Sequence, residues 1–225
     1  MPSNWRAFAA TLHTAFWHSG AAYLVHPQKP LYYIRIPKAG NTSIGRAFLE
    51  ARFQYLPDLS ATQVNLLCQA WQQNRFTASL KHFTGFTLVR HPLHRLVSVY
   101  RDFFEFPRDD FFIYQGYLFN ILPQRLSFAD FVQRVVSIPV RLLDGHLMPQ
   151  HLLIKPFQRP GFNVKIFKLE EPEKWKDFLQ AHQLNAFHDN ASAFDYNYRQ
   201  YYTPSVKKKA LQLYGSDCRL FGYEQ

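Results

Sequence analysis

Two short stretches of this chain hold the residue types that grip phosphate-like anions. The first is Ile36-Pro37-Lys38-Ala39-Gly40-Asn41-Thr42-Ser43. A β-rich run, Leu31 to Ile36, leads into it. Beyond it, apolar residues at Ile44, Ala47, Phe48 and Ala51 are spaced by threes and fours and predict a helix over about 42–54. A strand that delivers a glycine-containing loop into a helix aims main-chain N–H groups and the positive end of the helix dipole at one point. Lys38 adds a full charge at the rim of that point. Thr42 and Ser43 add hydroxyls where the first N–H groups of a helix have no partner of their own. The bland alternative is a solvated turn followed by a helix cap.

The second stretch is Arg90-His91-Pro92-Leu93-His94-Arg95-Leu96-Val97-Ser98-Val99-Tyr100-Arg101. Arg90 ends a predicted strand, Gly85 to Arg90, and Pro92 suits the first turn of the helix that follows, over about 92–104. Arg95, Ser98 and Arg101 stand three apart and share roughly one helix face. Guanidinium forks with a hydroxyl between them make a phosphate site, and a basic solvated face is the competing reading. Neither stretch is an ATP loop of the G-x-x-x-x-G-K-[ST] kind, because Lys38 precedes the glycine and no strand ends in a clear magnesium-binding Asp.

The elements that must position these residues alternate along the chain. A short helix is expected in the first 20 residues, then a loop at 26–30. Helices are expected at Ser60 to Gln73, Ser127 to Val136, about Glu171 to His182, and Thr203-Pro204 to Gly215. A third strand is expected at Asn163 to Leu169. That order argues an α/β fold with a parallel sheet, and the expected architecture is a P-loop-like three-layer sandwich with a central parallel sheet flanked by helices. The 225 residues suit a single domain over 1–225, with 1–30 as an N-terminal helical extension.

Composition narrows the partners. The formal net charge is +10, which fits a polyanionic ligand of some kind and says nothing about fold. The one tight basic cluster, Lys207-Lys208-Lys209, reads as a solvated helix face. Aromatic residues reach 17% of the chain, and core packing is their main expected use. Cys68 and Cys218 lack metal-ligand spacing and read as two free thiols in a reducing compartment. With no secretory leader and no long apolar run, the expectation is a soluble, cytoplasmic protein with no transmembrane segment.

Taken together, the two stretches resemble the sulfotransferase family that includes the carbohydrate enzymes of chondroitin, dermatan and heparan type, in a short, soluble, bacterial-like form. IPKAGNTSI is similar to that family's loop for the 5′-phosphosulfate, and TLVRHPLHRLVSVYRDFF to its 3′-phosphate motif. Asp144-Gly145-His146-Leu147-Met148-Pro149-Gln150 resembles the D-x-H-x-x-P-Q stretch of the carbohydrate branch. Tyr198 to Tyr202 and Leu220 to Tyr223 resemble its terminal segment. Two positions depart from the pattern: Arg35 stands where His or Cys is common, and His91 where Asp or Asn is. The stretch 55–81 resembles nothing in the family's motifs.

The resemblance implies 3′-phosphoadenosine 5′-phosphosulfate (PAPS) as donor, 3′,5′-ADP as product and no metal. It implies that Lys38, Ala39, Gly40, Asn41, Thr42 and Ser43 hold the phosphosulfate, with Lys38 also neutralising charge on the leaving group. Arg90 and Ser98 hold the 3′-phosphate, with Arg95 and Arg101 as lesser candidates. His146 is the expected general base, His151 and His82 the next choices. The expected acceptor is a carbohydrate, neutral or anionic, and no nucleic acid. Glu170 and Glu171 are read first as acidic residues at a helix N-terminus. The alternatives are a P-loop-type nucleotide phosphotransferase and a non-catalytic module for polyanions.

Overall fold

A computed structural model describes residues 22–53, 56–75, 77–105, 114, 117–185 and 196–225. In chain order its main elements are β1 (Tyr23–Val25), β2 (Leu31–Ile34), α1 (Asn41–Arg52), α2 (Ala61–Trp71), β3 (Thr84–Val89), α3 (Pro92–Tyr100), α4 (Phe128–Ser137), α5 (Gln150–Ile154), β4 (Asn163–Lys168), α6 (Pro172–Ala181) and α7 (Pro204–Phe221). The chain folds into two compact units. One comprises Ala21–Arg90 and Leu152–Tyr196; the other is built from His91–His151 and Asn197–Gln225. The helix expected in the first 20 residues lies outside the described residues.

The first unit holds the sheet, in the order β1-β2-β3-β4. β2, β3 and β4 run parallel, with Tyr32 opposite Gly85 and Phe86 opposite Lys165. The α/β expectation thus holds, with one addition. Tyr23–Val25 pairs antiparallel to β2 and makes an edge strand that three residues gave no pattern to reveal. Buried Ile44, Phe48, Leu49, Val64, Cys68, Phe86, Leu88, Phe178 and Leu179 join α1, α2 and α6 to the sheet in one core. Each such side chain contributes about 1.5–3 kcal/mol through burial. On α2, Ser60 caps the helix reciprocally: its Oγ accepts from Gln63 N–H at 3.3 Å, and Gln63 Oε1 accepts from Ser60 N–H at 2.9 Å.

The second unit is helical, and its core is largely aromatic. Tyr100, Phe104, Phe128 and Phe131 meet with ring centroids 4.9–6.3 Å apart, and Tyr201 and Tyr202 close over Phe128. The helix expected over 92–104 leaves α geometry at Tyr100 and continues as one wide π-turn, Arg101–Glu105. Within that turn the adjacent rings of Phe103 and Phe104 are both buried. Such turns recur beside functional sites.

The last helix does not end at Gly215; it runs to Phe221 and stops at Gly222, which takes the left-handed φ of 64°. Gly215 is tolerated inside because eighteen residues of packed helix outweigh one unfavourable propensity. A Cβ built at Gly215 meets nothing nearer than Arg219 Nη1 at 3.5 Å, ordinary contact. Gly215→Ala is therefore expected to stabilise the protein by about 0.5–1 kcal/mol in a denaturant melt. A loss of stability would show that the backbone there needs glycine.

Candidate active site

In the sheet unit, the loop after β2 is shaped by two left-handed residues. Lys38 has φ 65° and Gly40 φ 83°. For Lys38 that conformation costs about 1–2 kcal/mol, and strain of this sort clusters where a ligand is gripped. Gly40 is also pressed on: a Cβ there would lie 2.9 Å from Leu88 Cδ1 and 3.2 Å from Leu169 Cδ1, so any side chain would have to displace both leucines as well as bear the positive φ. As N-cap of α1, Gly40 offers no side-chain acceptor to the first turn. Around it, the buried Tyr33 hydroxyl donates to Asn41 Oδ1 at 2.8 Å, and Asn65 Nδ2 donates to Thr42 Oγ1 at 3.1 Å. Burial pushes the Tyr33 pKa far up, which keeps the hydroxyl a donor.

Arg90 follows the carboxyl end of β3, beside the end of β2, and its Nη1 lies 3.4 Å from the Lys38 carbonyl oxygen. Carboxyl ends of parallel strands are the ligand edge of such sheets. His82 stands at the opposite end of β3, exposed on the short turn Ala78–His82. Arg35 is buried under α2, where its guanidinium donates to Gln72 Oε1, and burial lowers its pKa. Glu171 caps α6 and pairs with Lys174 at 2.7 Å and Lys168 at 3.8 Å. The hydrogen bond from Lys174 holds its pKa below the usual carboxylate value. Glu171 thus stands at a helix N-terminus among lysines.

In the helical unit, α3 separates the candidates that sequence spacing had grouped. Ser98 is half-buried, two turns into the helix. Arg101 pairs with Glu105, Nε to Oε2 at 3.3 Å. Arg95 is 2% exposed and donates to the carbonyls of Met148 at 2.9 Å and Gly145 at 2.6 Å. Its charge is turned into the protein, so it differs from the phosphate ligand its spacing suggested. Burial pushes its pKa down, and Tyr214, Asp217 and Asp144 nearby oppose the shift. His91 packs at a tilt against the rings of Tyr198 and Tyr223, both centroids at 5.1 Å, and its Nε2 meets the Glu224 carbonyl at 3.2 Å. The departure at 91 is thereby accounted for: the ring seats the terminal segment.

The segment 144–151 is pinned at almost every residue. Asp144, 1% exposed, accepts from both the main-chain N–H of His146 at 2.7 Å and its Nδ1 at 3.0 Å, on the same Oδ1. Arg95 holds the carbonyls on either side of that histidine. Tyr214 OH donates to the Leu147 carbonyl at 2.6 Å. Asp217, fully buried, accepts from Gln150 N–H at 2.7 Å and His151 N–H at 3.0 Å. The Phe103 ring lies edge-on to His146 at 5.3 Å. A carboxylate only accepts, so Nδ1 of His146 carries the hydrogen and Nε2 the lone pair. Such an imidazole takes a proton in a fixed direction. Asp217 was not among the expected residues, since nothing local in the last helix marks it.

Among the described residues no cluster of three His, Cys, Asp or Glu side chains could hold a metal ion. No helix among them is long and apolar enough to cross a membrane. The model of the sulfotransferase family matches residues 21–224, which takes in the unassigned stretch 55–81 as well as the loop after β2 and the segment from β3 into α3. No match emerged among curated proteins, nor among solved structures.

Proposed function

This chain belongs to the sulfotransferase family, and we propose that it moves the sulfuryl group of PAPS onto a hydroxyl of a carbohydrate. The observation that carries the reading is the loop after β2: two left-handed residues, a cap without a side chain, a lysine and, at 3.4 Å from the loop's own carbonyl, Arg90. Main-chain N–H groups of Gly40 to Ser43 face the phosphosulfate, the Ala39 N–H donating instead to the Ile36 carbonyl at 3.2 Å, and Arg90 and Ser98 take the 3′-phosphate. The acceptor oxygen attacks sulfur as the bond from sulfur to the 5′-phosphate oxygen breaks. The hydroxyl proton passes to Nε2 of His146, and Lys38 offsets the charge gathering on the departing phosphate. The products are the sulfated acceptor and 3′,5′-ADP.

Under this reading residues 1–225 act as one catalytic domain without a metal. The acceptor is a glycan, neutral or anionic, and an anionic one suits a net charge of +10; nucleic acid is not a substrate. Cys68 and Cys218 are both buried free thiols, in keeping with a cytoplasmic setting.

The deciding experiment is thermal shift with EDTA present. 3′,5′-ADP at about 100 times its dissociation constant should stabilise the protein by roughly 2.7 kcal/mol, and ATP should do much less. Arg90→Ala should weaken 3′,5′-ADP by about tenfold or more, the loss of a charged phosphate contact. Tight binding of magnesium-ATP with indifference to 3′,5′-ADP would make the protein a phosphotransferase. Binding of polyanions alone, with a steep salt slope, would make it a binding module.

A further inference from the structure

The clamp on His146 is built a second time, five residues on. Asp217 Oδ1 accepts the main-chain N–H of His151 at 3.0 Å and its Nδ1 at 2.6 Å, as Asp144 Oδ1 does for His146. Both carboxylates are buried, at 1% and 0% side-chain exposure, and both rings reach solvent to a similar extent, 20% and 24%. Capping α5 needs only the bonds to Gln150 and His151 N–H. The bond to the ring adds nothing to that cap, yet it fixes the tautomer and aim of a partly exposed imidazole. Each ring therefore presents Nε2 as a directed acceptor, and both sit on one segment held by Arg95, Tyr214 and Asp217.

We infer that His151 is a second working imidazole, an acceptor-binding residue whose Nε2 receives a hydrogen bond from a hydroxyl of the sugar beside the one His146 deprotonates. Asp217 is its positioning residue. Sugars carry neighbouring hydroxyls, and two preset acceptors on one rigid segment select which of them reacts. This inference rests on the proposed carbohydrate reading, and it replaces a choice between His146 and His151 with a division of labour.

The test uses His151→Asn, whose amide can still donate to Asp217 while the position of Nε2 is left empty. Unsulfated chondroitin and heparosan serve as acceptors, with PAPS as donor. The variant should melt within about 2 °C of the wild type and bind 3′,5′-ADP equally well. Its KM for the acceptor should rise about fivefold to tenfold, the loss of one hydrogen bond, with a smaller change in kcat. His151→Ala should show the same KM change, with whatever loss of stability follows from removing the bond to Asp217. An unchanged acceptor KM in His151→Asn would leave His151 as part of a helix cap and overturn the inference while the carbohydrate reading stands. A wild-type enzyme that sulfates neither glycan would overturn that reading and the inference together.

Discussion

Lys38→Ala should lower kcat by about 100-fold or more, the loss seen when one donor to a developing anion is removed. The same variant should bind 3′,5′-ADP within about threefold of the wild type. The two readouts separate because, in the proposed mechanism, the charge on Lys38 matters most as the phosphate leaves, whereas loop N–H groups and Arg90 bind the nucleotide in both states. Backbone strain is no confounder. Lysine and alanine both carry a Cβ and meet the left-handed φ of 65° at similar cost. Lys38→Gly is the complementary control, since it removes the same charge and relieves that strain. It should be as inactive as the alanine variant, with a fold at least as stable. Turnover and nucleotide affinity falling in equal proportion would make Lys38 a binding residue only.

How far the sequence could be read depends on the range of the interactions concerned. β2, β3 and the helices after them were legible because their signals are local: a β-rich run, a periodic apolar face, a proline at a first turn. The loop's place between β2 and α1 was legible for the same reason, since Lys38, Gly40 and Thr42 sit within five residues. Arg95 misled because helical spacing tells which residues share a face and not which way that face points. Its partners, the carbonyls of Gly145 and Met148, lie 50 and 53 residues further on. Asp217 left no trace at all, because its contacts with Gln150 and His151 span 67 and 66 residues. The end of α7 was misplaced through a local rule, glycine as a stop, that packing overrode.

His146→Ala should abolish measurable transfer while leaving 3′,5′-ADP binding intact, since a general base is worth about 10²–10⁴-fold and the proposed mechanism sets the imidazole against the acceptor, not the nucleotide. In the wild type, kcat/KM should rise with pH as the general-base imidazole loses its proton, because only the neutral ring accepts. The dependence of that base on its carboxylate gives a second handle. Asp144 fixes both the main chain and the ring of His146 through a single oxygen. Asp144→Asn can keep the main-chain bond while weakening the preference for a hydrogen on Nδ1, so part of the population should hold Nε2 in the wrong tautomer. That variant should therefore lose kcat with little change in acceptor KM, which a merely structural aspartate would not do. Transfer surviving in His146→Ala with its pH limb unchanged would remove His146 from the chemistry and point to His151, held by Asp217 in the same way, as the base.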